Sequence, residues 1–173
     1  MFTEPVPEFV KYYLGNPEPR VSKWILTNSP LWFLTTCVLY FSFIIFGRNY
    51  MKNRKPYELK KVLMVFNVFQ VSLSFFIFKE VLTSAINMKY NVVCQPWTND
   101  AANPEELRMV KAFWYFYLSK FIDLVDTMFL VFKKKDRQLS FLHVYHHSTM
   151  LFNWYLGVLY LPGAQSNNHN LTS

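Results

Sequence analysis

Three of the four histidines in the chain fall within five consecutive residues, His143-Val144-Tyr145-His146-His147. An imidazole can attack a carbonyl, exchange a proton near neutral pH or ligate a metal, so this cluster is the first candidate for chemistry. On a helix, His143 and His147 stand one turn apart at i,i+4. His146 lies at i,i+3 from His143, so the three rings share one sector. Continued at helical spacing, that sector carries Met150, Asn153, Trp154 and Gly157. The cluster opens a hydrophobic run over residues 139–161, long enough to cross a bilayer at about 20 residues per span. Ionisable groups at membrane depth face a protein interior or a wet cavity. The competing reading is an interfacial group of histidines with no chemistry.

A second ionisable set interrupts the preceding apolar run, residues 109–132, in the order Lys120-Phe121-Ile122-Asp123-Leu124-Val125-Asp126-Thr127. Positions 120, 123 and 127 share a helix face, with 126 at its border. Three such groups inside a span are costly unless paired or solvated. They are therefore expected to form a network with one another or with the next helix. A Lys–Asp pair that only locks two helices together explains the pattern as well as a functional role does. In an antiparallel arrangement Asp126 lies near the end that carries the histidines, within reach of the imidazoles.

The elements that must position these groups follow from composition. The chain has 173 residues, 52% hydrophobic and 20% aromatic, arranged in long runs that suit an all-α integral membrane protein with four transmembrane helices. Of its eighteen lysines and arginines, six fall in residues 48–61 and four in residues 133–137, each block wedged between apolar runs. That is the pattern of cytosolic loops and excludes a nucleic-acid-binding face, despite a net charge of +7. Residues 1–30 read as a lumenal segment with a short amphipathic piece at 8–14, without the order of a cleaved signal peptide. The membrane domain is expected over residues 31–163, with spans at about 31–47, 62–82, 109–132 and 139–161. Ser29-Pro30 signals the start of the first helix and Gly47 its end. Asn67, Gln70 and Ser74 in the second span are expected to face the bundle. Gln138 or Ser140 is expected to cap the last helix. Cys37 and Cys94 are too few and too differently placed for a disulfide framework.

Taken together, Lys120-x-x-Asp123-x-x-Asp126-Thr127, then Lys133-Lys134-Lys135, then Ser140-Phe-Leu-His-Val-Tyr-His-His resembles the elongases of very-long-chain fatty acids. Pro19-Arg20, Trp24, Ser29-Pro30 and Met51-Lys-x-Arg-Lys-Pro-Tyr resemble animal members, and the likeness covers residues 16–163. It implies a partial version of a six- or seven-helix bundle around an acyl tunnel, multi-pass in the endoplasmic reticulum membrane. The implied reaction condenses a long-chain acyl-CoA with malonyl-CoA to a 3-oxoacyl-CoA, the first step of the elongation cycle. No cofactor and no metal are implied beyond these two substrates. The implied partners are the lipid bilayer, other enzymes of the cycle, and homo- or hetero-oligomers with elongases, with no nucleic acid.

A Claisen-type condensation needs an acyl acceptor or a base, and a group that stabilises the enolate or oxyanion. No cysteine lies near the histidines, so a covalent nucleophile would have to be an imidazole. The expected assignment is His146 as nucleophile, with His143 and His147 as base or oxyanion donor. Asp123 and Asp126 are expected to set the tautomer and orientation of the rings, with Lys120 balancing their charge. The CoA phosphates would be attracted to Arg54, Lys55, Lys133 and Lys134, residues that topology already explains.

Two departures from the family pattern stand out. Asp123 occupies a position where elongases usually carry Glu, a side chain one methylene longer. After Leu161-Pro162-Gly163 the family continues through further spans, whereas residues 164–173 form a divergent polar tail containing His169 and the acceptor motif Asn170-Leu171-Thr172. The expectation is a C-terminally truncated member, with little or no turnover from these residues alone. Two alternatives follow. One is a non-catalytic form that binds or regulates a full-length elongase. The other is a His-box metal-dependent lipid oxidase, disfavoured because three histidines at i, i+3 and i+4 on one helix give cramped coordination.

Overall fold

A computed structural model describes residues 20–89 and 103–160. The amphipathic piece at 8–14, Cys94 with its polar loop, and the tail with His169 and Asn170 lie outside the described residues. Four helices follow a 3-10 turn at Val21–Lys23: α1 (Pro30–Met51), α2 (Lys60–Asn87), α3 (Pro104–Phe132) and α4 (Phe141–Tyr160). Among the described residues there is no strand.

Local sequence explains where these helices begin and end. The Ser29 side chain accepts a hydrogen bond from the Leu31 amide at 3.2 Å, with Pro30 in the first turn. Asn103 does the same for the Glu105 amide at 3.0 Å, with Pro104 at the start of α3. Glu105 and Glu106 lie in that first turn, against the positive end of the helix dipole. The His143 amide donates to Ser140 Oγ at 3.2 Å, so Ser140 is the cap residue of α4. At the end of α3 the chain turns through Lys134 in the left-handed region, φ 52°. The amides of Lys134 and Lys135 reach back to Val131 O at 3.1 Å and Leu130 O at 3.0 Å, closing the last carbonyls as a terminal glycine usually does.

Two expectations about the first two helices change. Helix α1 does not stop at Gly47 but continues to Met51. A Cβ at position 47 would sit 3.1 Å from Val131 Cγ1, so the missing side chain lets α1 approach α3 closely rather than ending the helix. In α2 only Gln70 of the three polar positions turns inward; Asn67 and Ser74 are exposed on its flank. Helical spacing placed all three in one broad sector, and the contact with α3 is narrower than that sector.

Helix α3 is central and packs against the other three, while α1 and α4 also touch each other. Tyr117, Leu124 and Val131 of α3 are buried against Tyr40 and Ile44 of α1 and Leu151, Tyr155 and Val158 of α4. Phe33 stacks on Tyr155 at 5.7 Å, and the Tyr117 hydroxyl donates to Leu26 O at 3.2 Å. The outward faces of α1 and α2 are apolar: Val38, Ile45, Val65, Val71 and Phe75 are all exposed. These two helices are long and apolar enough to cross a membrane. Helices α3 and α4, at 29 and 20 residues, have the length but carry the ionisable faces. Lys120, Asp123, Thr127 and His143 direct their polar groups at neighbouring side chains within the bundle.

The two basic blocks meet at one end of the bundle. Arg48 pairs with Asp136 at 3.0 Å, Lys134 Nζ donates to Lys52 O at 3.0 Å, and the Tyr57 amide donates to Phe132 O at 3.1 Å. The three histidines lie in the first two turns of α4, at this same end.

Candidate active site

Lys120 Nζ lies 2.8 Å from Asp123 Oδ2, and Gln70 of α2 donates to Asp123 Oδ1. The ammonium also sits 4.4 Å from the centre of the Phe116 ring. The expected network within α3 is present, and its outside partner is α2 rather than the histidine helix. With both side chains mostly buried, the pair is held inside the bundle by its own charge cancellation and by the Gln70 amide.

One turn further along α3, Thr127 makes the link to α4. Its Oγ1 is 3.0 Å from His143 Nε2 and 3.0 Å from the hydroxyl of Tyr40 on α1. Three helices thus converge on one threonine side chain. The His143 and His147 rings are 4.4 Å apart and tilted, and His146 meets His147 edge-on at 5.7 Å. His143 and His147 are half-buried, whereas His146 is exposed; its carbonyl accepts from the Thr149 hydroxyl at 3.0 Å, and no hydrogen bond reaches its ring among the described residues.

Asp126 stands apart from these bonds. It lines a cavity of about 350 Å³ together with His143, Lys133, Lys135 and Gln138, at the basic end between α2, α3 and α4. No hydrogen bond reaches its carboxylate among the described residues. A larger cavity of about 640 Å³ lies between α1 and α3, but its walls are apolar side chains such as Phe43, Phe46, Phe121 and Met128. None of the six candidate residues lines it, whereas the smaller cavity borders Asp126 and His143. Among the described residues no three His, Cys, Asp or Glu side chains converge as one metal ion would need.

The model of the GNS1/SUR4 (ELO) family matches residues 25–171 of this chain. The chain belongs to the GNS1/SUR4 family. Very long chain fatty acid elongase 4 of Homo sapiens is 36% identical over 159 residues, which is 92% of this chain and 50% of that protein. Very long chain fatty acid elongase 7 of Rattus norvegicus is 37% identical over 164 residues, 94% of this chain and 58% of that protein. Very long chain fatty acid elongase 1 of Mus musculus is 38% identical over 157 residues, 90% of this chain and 56% of that protein. The chain spans about half the length of the relatives it matches.

Within this GNS1/SUR4 chain, all six residues expected to carry chemistry lie on α3 and α4, but they divide into separate groups. Lys120 and Asp123 form one closed unit with Gln70. His143, His147 and His146 form a second, and Asp126 lines the space beside it. Asp123 and Asp126, expected to set the tautomer and orientation of the rings, make no hydrogen bond to an imidazole among the described residues: the side chain that bonds a histidine is Thr127. Asp123 is already engaged by Lys120 and Gln70, whereas Thr127 sits one turn nearer the histidines. Tyr40 was not foreseen at all. The available signal was a hydroxyl in the middle of an apolar run, which must find an acceptor away from lipid.

Proposed function

We propose that this chain carries the catalytic helices of a 3-oxoacyl-CoA synthase, condensing a long-chain acyl-CoA with malonyl-CoA. The observation that carries the reading is the histidine cluster: the His146 ring, without a hydrogen-bond partner among the described residues, meets the His147 ring, and His143 and Asp126 line a cavity, in a chain of the GNS1/SUR4 family. A ring nitrogen of His146 attacks the thioester carbonyl; the C–S bond breaks and CoA leaves as the thiol. Malonyl-CoA then loses CO2, and the resulting enolate attacks the acyl carbonyl. The new C–C bond forms as the C–N bond breaks, and the imidazole is regenerated. His147, in ring contact with both other histidines, is placed to exchange the proton.

The setting completes the proposal. All four helices span the endoplasmic reticulum membrane, with the basic ends and histidines cytosolic, where both thioesters are found. Lys133 and Lys135 at the cavity rim attract the CoA phosphates. Other enzymes of the elongation cycle receive the 3-oxo product.

The test uses the protein at its native length in microsomal membranes, with acyl-CoA supplied before malonyl-CoA. Free CoA should appear before malonyl-CoA is added, with ping-pong kinetics, and His146→Ala should reduce both release and turnover to background. Release at the normal rate from His146→Ala would remove this residue as the nucleophile.

A further inference from the structure

We propose that Tyr40 and Thr127 form a positioning relay that fixes the tautomer of His143, an inference that builds on the condensation reading above. Tyr40 is 4% exposed and Thr127 is fully buried. Their hydroxyls are 3.0 Å apart, and Thr127 Oγ1 is 3.0 Å from His143 Nε2. Neither hydroxyl has another hydrogen-bond partner among the described residues.

The direction of the chain follows from counting protons. A phenol has one proton to donate, and when buried it needs an acceptor. The one within hydrogen-bond distance of Tyr40 is Thr127 Oγ1. Thr127 then directs its own proton at its remaining neighbour, His143 Nε2. The relay runs from the Tyr40 O–H to Thr127 Oγ1, and from the Thr127 O–H to Nε2. Nε2 is therefore the acceptor, and neutral His143 carries its proton on Nδ1. The opposite direction would start from a proton on Nε2 and leave the Tyr40 O–H pointing into the apolar seam between α1 and α3 without an acceptor, which buried hydroxyls avoid.

The relay gives α1 a part in the site through the neutral Tyr40 hydroxyl. It also separates the histidines by role. With Nε2 occupied by Thr127, His143 is a fixed neighbour whose ring sets the position of His147, 4.4 Å away. His146 and His147 remain free to react. A histidine held in one tautomer by an outside hydrogen bond is a recurrent way to hold a catalytic imidazole in place.

The experiment is nitrogen-15 NMR of histidine-labelled protein at native length in lipid nanodiscs, with the His143 signals assigned by their loss in His143→Gln. The wild type should show His143 with Nδ1 protonated and Nε2 bare. Tyr40→Phe and Thr127→Val should shift His143 toward the Nε2–H form and lower kcat roughly tenfold or more, with KM little changed. Thr127→Ser keeps the hydroxyl and should restore both the tautomer and the rate. A proton on Nε2 in the wild type, or a tautomer unaltered by Tyr40→Phe, would overturn the relay. The expected tautomer pattern without condensation in any version would leave the relay standing and defeat the elongase reading, because the spectrum does not depend on turnover.

Discussion

Helix α3 carries a polar cluster toward each end, and both tie it to α2. Toward its start, Arg108 donates to Glu80 through Nε at 2.6 Å and through Nη2 at 3.2 Å, and stands 3.8 Å from Glu105. Asn87 donates to Glu105 Oε1 at 3.0 Å, and Ser84 Oγ to the Glu105 carbonyl at 2.6 Å. Each of these ions faces a counter-ion, and neither of the two cavities described above borders the cluster. Toward the other end, Lys120, Asp123 and Gln70 close on one another in the same way. Beside them, no hydrogen bond reaches the Asp126 carboxylate or the His146 ring among the described residues, and a cavity of about 350 Å³ opens next to Asp126 and His143. A polar network that satisfies itself is a fastening between helices. One that leaves a carboxylate unbonded beside a space and next to a histidine cluster is equipped for chemistry.

Lys120 belongs to both descriptions, so its loss should have the largest effect. Lys120→Met leaves the Asp123 carboxylate inside the bundle with only the Gln70 amide. The cost is about 2–3 kcal/mol on the scale for an unpaired charge in a span. Thermal unfolding in detergent should show a lower midpoint, and turnover per folded molecule should fall as well. An unchanged midpoint would mean that water already solvates Asp123.

Asp126→Asn probes the open side of the site. The substitution keeps the size and removes the charge beside His143, so turnover should drop roughly tenfold while the unfolding midpoint stays within the error of the wild type. CoA release from acyl-CoA alone should persist, because Asp126 is not the nucleophile. Equal losses of stability and rate would move Asp126 into the fastening category.

The mildest change is expected from Arg108→Met. The Arg108 side chain is about one-third exposed, and ion pairs of that kind contribute little. A small drop in the unfolding midpoint with unaltered kcat and KM is the expected outcome. A large fall in kcat would show that the two ends of α3 are coupled and would erase the contrast between them.

Much of this arrangement could be read from local patterns, and the parts that could not share one physical reason. Ser29-Pro30 and Ser140 mark helix starts because a cap acts within a few residues of itself. The Lys120–Asp123 pair was legible because i,i+3 neighbours on one helix meet whatever surrounds them. The all-α class followed from long apolar runs between basic blocks. The bond between Tyr40 and Thr127 joins residues 87 apart and depends on how far each helix is rotated about its axis. Periodicity fixes which residues share a face but not that rotation. Asn67 and Ser74 show the same limit, since a turn of a few tens of degrees separates the packed face of α2 from its flank. Gly47 reads as a helix end from its own neighbourhood, and its close approach to α3 depends on the position of Val131, which the local sequence does not carry.

The Lys120–Asp123 pair also bears on how the chain is made. Both partners lie on α3, three residues apart, so their attraction is available as soon as that helix winds, before α2 or α4 has docked. Under the four-span arrangement proposed above, a segment leaving the ribosome would meet the translocation channel with these two charges already cancelled. Gln70 arrives from a helix synthesised earlier and can join them on lateral release into the bilayer. Assembly order is in this sense written into the spacing: neutralise first within one helix, then fasten across two.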